Sequence, residues 1–166
     1  MTGTILGIDP GEKTTGWVIV HGLDVIDFGQ TPNTQFVDTL CEKSYDLMLI
    51  EELAYARDAG RAVMRTAMWS GAFLYSGLKA GREVRLFPRT RVKTVLCKGV
   101  RRAKDSHVSA AVRKFYRGTG AGSRPQVGTS KQPGPLYGIT SHCWQALALV
   151  IAWRIDRNGE ILARHE

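Results

Sequence analysis

Four residues of this chain have types suited to metal-assisted hydrolysis: Asp9, Glu51, His142 and Gln145. Asp9 closes the apolar run Thr4-Ile5-Leu6-Gly7-Ile8 at a Pro10-Gly11 turn, and Glu51 closes a second run, Leu47-Met48-Leu49-Ile50. His142 and Gln145 lie three apart, a spacing that puts both on one face of a helix. A carboxylate delivered by a buried strand is costly unless it meets a cation or hydrogen-bond donors. Two such carboxylates, joined by an imidazole and an amide, suit Mg²⁺, with Mn²⁺ as a substitute, better than zinc.

Those residues meet only if the right elements carry them. Residues 4–9, 15–20 and 23–29 read as three short strands, with turns at Gly11 and His21-Gly22. Asn33 or Thr34 is placed to cap a helix running to about Ser44. The run at 47–50 has the profile of a buried central strand. Residues 57–80 show apolar 3-4 spacing, Gly81 is a helix stop, and 83–87 forms a fifth strand ended by Pro88. Helices follow at about 89–96 and 102–117, and a last apolar helix starts near Thr140-Ser141. A meander joined to crossover units predicts an α/β fold with a five-stranded mixed sheet and helices on both faces. If the first and fourth strands are neighbours, Asp9 and Glu51 emerge side by side. The chain length suits a single domain, 1–166, in which the Gly- and Pro-rich stretch 118–138 is expected to be a flexible loop.

The net charge is +8 and the sequence pI about 9.7. The excess crowds into residues 82–124, whose only acids are Glu83 and Asp105. That asymmetry points to a polyanion as partner. Lys93, Arg101, Arg102 and Lys104, with Arg124 and Lys131 from the loop, are the expected DNA phosphate contacts, giving affinity and salt dependence but no sequence readout. Three cysteines without a CxxC pair argue against a disulfide framework or structural zinc. No apolar run approaches a membrane span and no signal peptide is visible, so a cytoplasmic protein, in a bacterial or phage-infected cell, is expected.

Gly7-Ile8-Asp9-Pro10-Gly11 with Thr15-Gly16-Trp17 resembles the first motif of RuvC-type Holliday-junction resolvases. Leu49-Ile50-Glu51-Glu52 resembles their second motif, Val92-Lys93 before a basic helix their DNA-contacting region, and His142-Cys143-Trp144-Gln145-Ala146-Leu147-Ala148 their terminal motif. The resemblance spans most of the chain, in order. It implies an RNase H-like fold, two-metal phosphodiester hydrolysis of branched DNA, and a homodimer facing a four-way junction. Asp9 and Glu51 map onto metal ligands, and His142 falls where members carry an acid or histidine. Gln145 falls where the family normally has an aspartate. Tyr55, four residues after Glu51, stands where such resolvases place an aromatic wedge, and helix 57–80 is the expected dimer surface.

Gln145 leaves three readings open. The enzyme is active with a rearranged site that recruits Glu52 or Asp105, or it is an impaired relative that only binds branched DNA, or the glutamine is an inactivating substitution. Glu52 is secondary because strand alternation turns it to the face opposite Glu51. An RNase H-type ribonuclease shares the fold and metal site. An ATPase of the sugar-kinase type would need a second phosphate loop and more length.

Overall fold

The computed structural model describes residues 3–53 and 60–163, with side chains given up to 157. Its elements are β1 (Thr4–Asp9), β2 (Thr14–His21), β3 (Asp24–Pro32), α1 (Asn33–Thr39), β4 (Leu47–Glu52), α2 (Arg61–Lys79), β5 (Glu83–Pro88), α3 (Arg89–Leu96), α4 (Asp105–Arg113) and α5 (Ser141–Ala163). The expected five-stranded mixed sheet is present, in the order β3-β2-β1-β4-β5. The meander pairs antiparallel, while β1–β4 and β4–β5 pair parallel.

Strand alternation splits the interior into two cores. Leu6, Ile8, Met48 and Ile50 face Phe36 and Phe73 of α1 and α2. Ile5 and Leu49 face the other way, onto Ala146, Leu147 and Val150 of α5 and Val92 and Val108 of α3 and α4. Helices therefore cover both faces. The odd-numbered positions of β1 and β4 look toward α5, and Asp9 and Glu51 share that parity.

Three local expectations are corrected. Helix α1 stops at Thr39 and tightens into a 3-10 turn at Leu40–Glu42 rather than reaching Ser44. Asn33 does not cap it. Its buried amide donates to the Gly11 carbonyl (2.9 Å) and accepts from the Thr15 hydroxyl (2.7 Å), bracing the turn after Asp9. Helix α4 covers Asp105–Arg113, not 102–117, because Arg102 adopts a left-handed φ of 52° that no helix continues through. The stretch 118–138 holds no helix or strand and is hydrogen-bonded to itself: Gly120 N–H donates to the Pro125 carbonyl at 2.8 Å, Gly134 N–H to the Val127 carbonyl at 2.9 Å, and Gly128 bridges Pro133. Its glycines serve close backbone contact, since a Cβ on Gly120 would meet Gly128 Cα at 2.6 Å.

Candidate functional site

Parallel pairing of β1 and β4 puts Ile8 opposite Ile50, and the next residue on each strand is a carboxylate. Asp9 and Glu51 are each only 4% exposed. They lie within hydrogen-bonding reach of each other, and burial followed by the nearby Asp9 charge pushes the Glu51 carboxyl up to about 8. Such a pair is an anion site short of positive charge.

The amino end of α5 closes one side. His142 Nδ1 donates to Asp9 Oδ2 at 2.7 Å, and this hydrogen bond raises the imidazole above its ordinary value. Two glycines permit the approach. A Cβ on Gly16 would come within 2.5 Å of the His142 backbone carbonyl carbon, and one on Gly7 within 2.6 Å of the Ala146 carbonyl oxygen. Ser141, just before His142, is held at a left-handed φ of 40°, a strained conformation for serine. Gln145 is half-buried on α5 and makes no hydrogen bond to Asp9 or Glu51 among the described residues.

The other side holds a residue that sequence reasoning placed only in the basic window. Arg89, the first residue of α3, donates through Nη1 to Glu51 Oε2 (2.8 Å) and Oε1 (3.0 Å), and through Nη2 to Asp105 Oδ1 (2.8 Å). Strand β5 runs parallel to β4 with Phe87 opposite Glu51, so the residue after Pro88 emerges at the same sheet edge. A cation immediately after the third parallel strand was the available signal.

Lys93 stands one turn along α3, 3.5 Å from the same Asp105 oxygen, and so borders the site. Asp105 is engaged with Arg89 and Lys93 rather than with the carboxylate pair. Glu52 is exposed, as alternation requires. Arg101, Arg102 and Lys104 form an exposed basic turn between α3 and α4, and Arg124 and Lys131 are exposed on the 118–138 segment. Tyr55 lies outside the described residues.

Among the described residues, no group of three or more His, Cys, Asp or Glu side chains is arranged to hold a metal ion. The donors present are two buried carboxylates with excess negative charge, and His142 is committed to Asp9. That set fits one hard divalent cation, with oxygen ligands from Asp9 and Glu51.

No protein-family model matches the chain, and no curated protein matches it in sequence. Its fold is that of two solved structures. One is Thermus thermophilus RuvC in complex with a Holliday junction substrate, at 18% identity and a TM-score of 0.65 over 93% of this chain and 94% of that one. The other is Thermus thermophilus RuvC itself, at 19% identity and a TM-score of 0.64 over 94% and 96%.

Proposed function

We propose that this protein is a metal-dependent endonuclease that cuts four-way or otherwise branched DNA by phosphodiester hydrolysis. The observation that carries the reading is the buried Asp9–Glu51 pair at neighbouring strand ends, flanked by an imidazole and a guanidinium, with Lys93 at the edge. The fold shared with a structure that contains a Holliday junction substrate supports it.

Asp9 and Glu51 hold Mg²⁺ or Mn²⁺, which when bound supplies electrophilic activation of the phosphate and neutralises developing charge. His142 is the proton-handling group: its Nδ1–H is fixed on Asp9, which orients the ring and leaves Nε2 to accept a proton from water. Arg101, Arg102 and Lys104 contact backbone phosphates, with Arg124 and Lys131 extending the surface, and Lys93 joins them at the site's edge. A four-way junction is two-fold symmetric and needs two incisions, whereas each chain carries one site. A homodimer answers that need, and α2 offers the surface: Met64, Met68, Tyr75 and Leu78 form an exposed apolar stripe along it.

The test uses a synthetic four-way junction, the matched duplex and an RNA–DNA hybrid, with Mg²⁺ or Mn²⁺. Junction nicking that falls by about a thousandfold in Asp9→Asn, with binding retained, is the expected result. Binding without cleavage under either metal would make the protein a non-catalytic junction binder. Cleavage of the hybrid alone would make it a ribonuclease.

A further inference from the structure

We infer that Arg89 takes the place of a second cation at the carboxylate pair, so that the site works with one divalent ion and a guanidinium rather than with two ions. The inference rests on the nuclease reading and adds to it a positioned side chain and a metal stoichiometry.

Arg89 already occupies both oxygens of Glu51, the carboxylate that a second ion would have to share with the first. One terminal nitrogen sits on both oxygens of Glu51, at 2.8 and 3.0 Å, and the other is anchored by Asp105 at 2.8 Å. The anchor and the residue it holds are the first residues of α4 and α3, so the guanidinium is braced from two helices. Its two terminal nitrogens are thus divided between Glu51 and Asp105.

Formal charge points the same way. With an ion bound, which displaces the Glu51 proton, Asp9 and Glu51 contribute two negative charges and Arg89 returns one positive. One divalent ion leaves the group with a single positive charge, which matches the single negative charge of one phosphodiester. A second divalent ion would leave three positive charges in a site whose carboxylates are both 4% exposed. Among the described residues no further acid is shown in contact with the pair to offset that excess: Gln145 is neutral, and Asp105 is already shared between Arg89 and Lys93. An arginine is permanently charged and cannot yield its proton to make room.

The experiment is Mn²⁺ titration of the DNA-free protein, followed by electron paramagnetic resonance, alongside junction cleavage. Wild-type protein is expected to bind one Mn²⁺. Arg89→Gln removes the competing cation from Glu51, so it should bind Mn²⁺ roughly tenfold more tightly or better yet cleave about 100-fold more slowly. Arg89→Lys should recover part of the rate. Two ions on the wild type would overturn the inference. Mn²⁺ binding unchanged or weakened in Arg89→Gln, or cleavage unaffected, would also overturn it and leave Arg89 a structural ion pair. The wild-type stoichiometry decides the matter if Arg89→Gln does not fold. One ion bound more tightly in the variant, with no junction cut by the wild type, would keep this inference and remove the nuclease reading.

Discussion

Glu51 and His142 give the free protein a stability that depends on pH in a defined direction. The Glu51 carboxyl is raised to about 8 by burial and by Asp9, so the native state keeps a proton that the unfolded chain has released. Where the native state binds more protons, stability falls as pH rises. His142, raised by its hydrogen bond to Asp9, acts with the same sign: its stabilising contact is present below its unfolded value and is lost as pH climbs through the folded one. In EDTA the thermal midpoint should therefore drop by roughly 5 °C between pH 5 and pH 8. Glu51→Gln should remove most of that slope, and Mg²⁺ should restore the midpoint at pH 8. A midpoint that rises over this window would contradict the charge assignment. The residues that set these values were only partly legible in the sequence. Asp9, Glu51 and His142 stood at the ends of strongly patterned elements, so their meeting followed from strand order. Arg89 sat among many basic residues, and only the parallel register of β4 and β5 singles it out.

The site is assembled by how closely α5 lies on the meander. Gly16 on β2 faces the backbone of His142 and Cys143, where an added Cβ would stand 2.4–2.9 Å from three atoms, two of them main-chain. Main chain cannot rotate away, so Gly16→Ala should cost about 1–3 kcal/mol and move His142 off Asp9. Denaturant unfolding would show the loss, and cleavage would fall further than stability alone explains. A variant as stable and active as the wild type would mean that α5 is not seated by this contact. Elements with an unbroken apolar run, such as β1, β4 and α5, or with apolar 3-4 spacing, such as α2, were readable from sequence because burial dictates those patterns. The internal contacts of the stretch 118–138 were not legible because its glycines and prolines carry no period. Their purpose is backbone-on-backbone contact, which is visible only once Gly120, Gly128 and Gly134 are seen together. The start of α4 was missed for a similar reason, since the left-handed Arg102 leaves no compositional mark.

The whole chain has two unlike surfaces. The turn between α3 and α4 and the 118–138 segment expose Arg101, Arg102, Lys104, Arg124 and Lys131, whereas α2, on the opposite face of the sheet from α3, α4 and α5, exposes Met68 at 74% and Tyr75 at 65%. In the dimer proposed above, two chains joined through α2 would each keep the proposed phosphate-binding surface free. Light scattering should give a dimer, and Met68→Glu should give a folded monomer that still binds duplex DNA but loses about tenfold or more in paired junction cutting. A wild-type monomer at micromolar concentration would contradict the dimer proposal. Among the described residues no helix is long and apolar enough to cross a membrane.

The most direct measurement is strand-resolved nicking of a four-way junction by the wild type in Mg²⁺, with Asp9→Asn beside it. Symmetric incisions on opposing strands, absent from the duplex and lost in the variant, are the predicted result. Equal cutting of junction and duplex, or junction cutting that survives Asp9→Asn, would contradict a structure-selective nuclease centred on the Asp9–Glu51 pair.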